Sequence, residues 1–107
     1  MKPGDVYIVN IPELGTHEQD GTRPAIVIAH ITKTIATIIP CTGNVLALRF
    51  PYTHEIQPTK DNGLSCATIA LVFHIRALDT SLLKKKIGKL DTKTFLEIKK
   101  QARKLIG

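Results

Sequence analysis

Apolar positions along the chain fall into short runs rather than long stripes. Val6-Tyr7-Ile8-Val9 is a run of strand formers closed by Asn10 and Pro12, and it predicts a first strand. Arg23 to Ile31 predicts a second strand and Ile35 to Cys41 a third, with His30 to Thr34 as the turn between them. Their apolar character is continuous rather than alternating, the pattern of strands covered on both faces or set in a subunit interface. Pro40 has no amide hydrogen to donate and is expected at an edge, a bulge or a strand end. Thr42-Gly43-Asn44 is turn chemistry, after which Val45 to Phe50 predicts a fourth strand that continues past Pro51 toward Ile56. Beyond the polar loop Pro58 to Gly63, Cys66 to Ile75 predicts a further strand, with Arg76 to Asp79 as its continuation into a turn. About five or six short strands at this spacing suggest a small barrel or curled sheet.

The period then changes. Asp91 is placed as an N-cap, and Phe95, Ile98, Ala102, Leu105 and Ile106 recur on one face of a helix. Lys93, Lys99, Lys100, Arg103 and Lys104 fill the rest of it, and its simplest role is a lid across one opening of the sheet. The fold class is therefore mainly β with a C-terminal helix.

Length and composition narrow this further. A chain of 107 residues is long enough for one core and too short for two, so a single domain spanning 1–107 is expected. Hydrophobic content of 43% against 22% charged residues is that of a folded soluble protein. The longest apolar runs, Ala25 to Ala29 and Ile69 to Phe73, are far short of a membrane span. The N-terminal residues lack the apolar core of a secretory signal, and a cytoplasmic location is expected. Cys41 and Cys66 have no Cys-x-x-Cys partner and no histidine at ligand spacing; both read as buried, reduced thiols, with no metal site and no cofactor. The formal charge of +6 is concentrated at one end: residues 84–107 carry nine Lys/Arg and two Asp/Glu, whereas residues 1–83 carry six and seven. Such a patch attracts nucleic acid or an acidic protein, or is simply a solvated helix face.

The chemistry gathers at Gly15 to Ile28, a polar loop with His17, Glu18, Gln19 and Asp20 that enters the second strand through Arg23-Pro24. Pro24 biases Arg23 toward extended backbone, so a strand aims its guanidinium. A guanidinium beside such a loop suits bidentate contact with phosphate, although a salt bridge to Glu18 or Asp20 would use it equally well. His17 is a candidate general acid or base, or a surface histidine. Glu18 orients Arg23 or His17, or is an exposed loop charge. Thr42, beside Gly43, offers a hydroxyl and neighbouring amides to an anion, or merely forms a turn. His30, His54 and His74 show no metal spacing, and His74 reads as a hydrogen-bonded core histidine on a buried strand. Arg49 to His54, with Phe50 and Tyr52, is either a groove for single-stranded nucleic acid or an ordinary strand. Phosphate-loop, dinucleotide-binding and Gly-x-Ser-x-Gly motifs are missing, which disfavours nucleotide-driven enzymes and serine hydrolases.

Glu18-Gln19-Asp20-Gly21-Thr22-Arg23-Pro24, followed by Ala25-Ile26-Val27-Ile28, resembles the Glu-Gln-x-Gly-x-Arg-Pro signature of the MazF/PemK family of toxin–antitoxin ribonucleases. Lys2 to Tyr7 resembles that family's opening strand, Pro40-Cys41-Thr42 its second active-site segment, and Ile75 to Asp79 its late strand. The resemblance implies an SH3-like curled β-barrel of the MazF/PemK/CcdB type, a homodimer, and metal-independent cleavage of single-stranded RNA. In that chemistry the ribose 2′-hydroxyl attacks the adjacent phosphorus, giving a 2′,3′-cyclic phosphate and a 5′-hydroxyl. Arg23 and Thr42 become the phosphate-handling pair, and His17 and Glu18 candidates for proton transfer or for orienting Arg23. Gln19, Thr22 and Gly43 join Arg49, Tyr52 and His54 as candidate RNA contacts. The implied partner is a cognate antitoxin whose acidic, extended tail covers the RNA groove. The PemK-like branch uses an arginine and an aspartate on the strand matching Ile69 to Arg76 as acid and base, but Leu71 and Phe73 occupy those positions here. The general base is thus left open. Two other readings compete: a CcdB-like toxin directed at gyrase, and a barrel that binds without catalysis.

Overall fold

The computed structural model describes residues 1–11 and 22–107. Among these residues seven strands, all paired antiparallel, form one curled sheet: β1 Asp5–Asn10, β2 Thr22–His30, β3 Ile35–Thr42, β4 Thr53–Ile56, β5 Thr68–Leu71, β6 Arg76–Asp79 and β7 Leu83–Lys89. One helix, α1 Thr92–Ile106, follows. The strand order is β4-β5-β3-β2-β1-β7, and β6 also pairs with β3. No ladder among the described residues joins β4 to β7, so the sheet is curled but not closed.

The continuous apolar runs of β2 and β3 have a direct cause: side chains alternate between two faces and both faces are buried. Val6, Ile26, Ile39 and Cys41 point into one core with Ile56, Leu64, Val72, Leu90, Ile98 and Ala102. Their neighbours Val9, Ala25, Val27, Ala36 and Ile38 point into a second with Ile11 and Leu78. Helix α1 covers the first core as expected, through Ile98, Ala102 and the half-buried Phe95. Asp91 caps it, its carboxylate accepting from Thr94 N–H at 3.1 Å and from the Thr94 hydroxyl at 2.7 Å. Ile106, expected on the packed face, is instead exposed in the last turn of the helix.

Four expectations are corrected. Val45–Arg49 is a 3-10 turn rather than a strand, because the Asn44 side chain accepts from Leu46 N–H at 3.0 Å and starts a turn before any ladder can form. The strand expected over Cys66 to Ile75 breaks into β5, a 3-10 turn Val72–His74, and β6, which is a strand in its own right. Register supplies the reason: Cys41 pairs with Ala70 and Ile38 with Arg76, so the partner chain has three residues too many and expels them as the turn. Pro40 lies inside β3, opposite Ala25 of β2, where neither β5 nor β6 pairs on the other side and no donor is missed. Cys41 is buried, but Cys66 precedes β5 and is exposed.

Strand β7 was not anticipated, since Lys84, Lys85 and Lys86 hide any apolar alternation. It lies at the edge of the sheet beside β1, where lysines discourage pairing with another chain. Lys86 also neutralises Asp5, a carboxylate only 4% exposed, at 3.3 Å. The loop expected over Pro58 to Gly63 is pinned by buried Asn62, whose side chain accepts from Thr59 and Leu64 N–H and donates to the Gln57 carbonyl. Gly63 is required there: its φ is +72°, and a Cβ would meet the Ile87 carbonyl oxygen.

Candidate active site

Arg23 stands opposite Val9 in the β1–β2 ladder and two residues before Ala25, so it shares the face of the second core. Ala25 pairs with Pro40, and continuing that register sets Arg23 opposite Thr42 at the end of β3. Thr42 lies on the same face, being two and four residues from Pro40 and Ile38. On the far side of β3, Ile38 pairs with Arg76, which again shares the face because Leu78 of the same strand enters the second core. Three adjacent strands thus bring Arg23, Thr42 and Arg76 to one end of one face.

Arg23 is only 5% exposed, so packing restricts its side chain and its orientation is largely set before any ligand arrives. Thr42 is 9% exposed, and its hydroxyl accepts from Asn44 N–H at 3.2 Å, which shapes the turn through Gly43. Gly43 and Thr22 are exposed at the rim.

The turn Val72–His74 adds rings to this end of the sheet. Phe73 and His74 have ring centroids 4.5 Å apart, and Phe50 meets Phe73 edge-on at 5.9 Å. The Arg49 guanidinium caps the row, 4.9 Å from the Phe50 ring centroid. Phe50 and Phe73 are both exposed. Tyr52 is beside them in the left-handed region, φ 57°, and its carbonyl accepts from Phe73 N–H at 3.2 Å. Burial, then Arg76, then Arg23, lowers the pKa of His74 from 6.5, which keeps the imidazole neutral at neutral pH.

Arg23, Thr42 and Gly43 therefore come together as read from the sequence, with Thr22 at the rim and Arg49 and Tyr52 along the aromatic row. His54 does not join them. Its ring is turned to helix α1, where Gln101 Nε2 lies 3.3 Å from Nδ1 and Glu97 3.6 Å from Nε2. His17, Glu18 and Gln19 lie outside the described residues. The sequence reading did not include Phe73, His74 and Arg76 among the candidate site residues, and the structure brings them to this end of the sheet. Arg76 carried a signal in Ile75 to Asp79, but His74 was masked by its apolar neighbours. Among the described residues no group of His, Cys, Asp and Glu could hold a metal ion, and no helix is long and apolar enough to cross a membrane.

Fold and site together define a small antiparallel β protein that gathers guanidinium groups, a hydroxyl and an imidazole at one end of its sheet. The chain belongs to the family of PemK-like, MazF-like toxins of type II toxin–antitoxin systems, whose model matches residues 2–106. It is 32% identical over 102 residues to Endoribonuclease MazF of Staphylococcus saprophyticus, an alignment spanning 92% of this chain and 84% of that one. The fold is that of MazF from Deinococcus radiodurans, with a TM-score of 0.77 at 22% identity, covering 100% of this chain and 96% of that one. A MazE–MazF crystal structure from the same organism matches with a TM-score of 0.72 at 20% identity, covering 100% and 95%.

Proposed function

We propose that this chain, as the toxin of a type II toxin–antitoxin system, is a metal-independent endoribonuclease that cuts single-stranded RNA at short sequences. The convergence of Arg23, Thr42 and Arg76 on one end of one face carries the reading. An RNA phosphate placed there meets fixed positive charge and a hydroxyl donor, which stabilise the charge that grows on the non-bridging oxygens during attack by the 2′-hydroxyl. The RNA supplies its own nucleophile, so the protein has only to align the phosphate, move protons and hold charge. Products are a 2′,3′-cyclic phosphate and a 5′-hydroxyl. The Arg49–Phe50–Phe73 row meets the His74 ring at Phe73, and the exposed Phe50 and Phe73 suit the stacking of unpaired bases.

The partners follow from the same reading. A homodimer would cover Val45, Leu46 and Leu48, three exposed apolar side chains on one short turn. The relationship to the MazE–MazF assembly supports an antitoxin partner, and an acidic tail is the chemistry that Arg23, Arg49 and Arg76 would hold in place of RNA. A cytoplasmic location belongs to the same proposal, since that is where an RNA substrate and an antitoxin would be met.

The test is to incubate purified protein with a long single-stranded RNA in EDTA and map the new termini. Discrete cuts with 5′-hydroxyl and cyclic phosphate ends are expected, and they report the recognition sequence directly. Inhibition of gyrase supercoiling with RNA left intact would overturn the reading in favour of a CcdB-like toxin.

A further inference from the structure

The ribonuclease reading, on which this inference rests, assigns none of the described residues to take the proton of the attacking hydroxyl. The turn Val72–His74 offers one. It exists because the partner of β3 has three surplus residues between β5 and β6, so the turn is fixed by the two ladders on either side. Within it, Ile75 N–H donates to the Val72 carbonyl at 3.1 Å and Phe73 N–H to the Tyr52 carbonyl at 3.2 Å. The Phe73 ring lies against the imidazole of His74 at 4.5 Å. His74 is half-buried rather than sealed in the core. Arg76 of β6 and Arg23 of β2 both stand within electrostatic reach of it. Of the charges on α1, which packs against the turn, Glu97 is engaged with His54 and Lys99 lies over the Phe95 ring. Leu71 and Phe73, its neighbours along the chain, have no proton acceptor.

We propose that His74 is the general base that takes the proton from the ribose 2′-hydroxyl beside the scissile phosphate. The hydroxyl proton passes to an imidazole nitrogen as the 2′-oxygen bonds to phosphorus. The bond from phosphorus to the 5′-oxygen breaks, and its electron pair stays on that oxygen, which takes a proton from water. The resulting hydroxide removes the proton from the imidazolium, returning His74 to its neutral form. Arg23 and Arg76 hold the non-bridging oxygens throughout. A base must be unprotonated before it acts, and the lowered pKa of His74 meets that condition at neutral pH. The acid limb of kcat/KM, which reads the enzyme before RNA binds, therefore falls below pH 6.5.

The experiment follows cleavage of a single-stranded RNA by wild type and by His74→Gln between about pH 5 and 8, the range over which a histidine changes charge. Binding of the same RNA with 2′-deoxyribose at the cut is measured alongside. Glutamine is expected to lower kcat by about 10²- to 10³-fold, to abolish the acid limb, and to leave binding of the deoxy analogue unchanged. Added imidazole should restore part of the rate to His74→Ala. A variant that cuts at the wild-type rate or keeps the same limb overturns the assignment. So does a loss of analogue binding as large as the loss of rate, which would make His74 a phosphate ligand. Those outcomes leave the ribonuclease reading standing, whereas a wild type that cuts no RNA ends both.

Discussion

The two faces of strands β1 to β3 are built from alternate residues of the same segments, yet they end differently. The face carrying Val6, Ile26, Ile39 and Cys41 is sealed by helix α1. The opposite face begins with an equally apolar set, Val9, Ala25, Val27, Ala36 and Ile38, but toward one end it gives way to Arg23, Thr42 and Arg76. A period of two lets a single strand serve both purposes: Ile26 anchors the covered side while Arg23, three residues earlier, is presented on the side of the candidate site. The apolar residues on both sides fix the backbone, and a site on a strand held this way keeps its geometry better than one on a loop. The two faces should therefore separate by mutation, one governing turnover and the other stability.

The largest effect is expected on the reactive face. Arg23→Ala should reduce cleavage by at least about 10³-fold, roughly 4 kcal/mol of transition-state stabilisation, with the circular dichroism spectrum retained. Arg23→Lys should recover little, because it keeps the charge but loses the planar fork. On the covered face, Ile98→Ala should lower the unfolding free energy by about 2–5 kcal/mol, since Ile98 is fully buried beneath the helix. The kcat of the molecules that remain folded should be unchanged. Equal loss of kcat from Ile98→Ala would show that the faces are not separable. Smaller again is Phe50→Ala at the far end of the aromatic row, expected to weaken binding of single-stranded RNA by about tenfold, near 1.4 kcal/mol, with kcat intact. Affinity equal to wild type would remove the row from the RNA path.

Much of this architecture was legible because β-branched runs and turn residues are local signals. Val6 to Val9, Ile35 to Cys41 and the helix from Asp91 appear where the pattern puts them, and the strand expected over Arg23 to Ile31 is shifted by one residue to Thr22–His30. The misreadings share a cause in long-range geometry. Val72–His74 looks like strand, being flanked by apolar residues, and becomes a turn only because β3 exchanges β5 for β6 at a spacing that local sequence does not encode. β7 is hidden by its lysines, whose place at a sheet edge is a property of the whole sheet. The candidate site divides in the same way. Arg23 and Thr42 sit in recognisable segments, whereas the position of His74 is set by that turn. His54 was a reasonable nucleic-acid contact from its neighbours Phe50 and Tyr52, but Gln101 and Glu97, more than 40 residues away, hold its ring.

The smallest effect bears on whether the reactive face costs stability. His74 has its pKa lowered in the folded protein by burial, then by Arg76 and Arg23, from the 6.5 expected in the unfolded chain. Well above pH 6.5 both states are neutral at this position and it contributes nothing to pH dependence. As the pH falls through 6.5 the unfolded chain takes up the proton first, so it binds more protons than the native state and the native state loses stability. The loss ends once the pH has passed below the folded pKa. In His74→Gln that component is absent, so the difference in midpoint denaturant concentration between variant and wild type should shift in favour of the variant as the pH is lowered from 7 toward 5, about the range of histidine titration. The same difference should stay constant above pH 7, since neither state changes charge at this position there. A difference that did not vary with pH would mean that the imidazole is as easily protonated when folded as when unfolded. The two guanidinium groups would then not bear on it, and the covered and reactive faces would differ in packing alone.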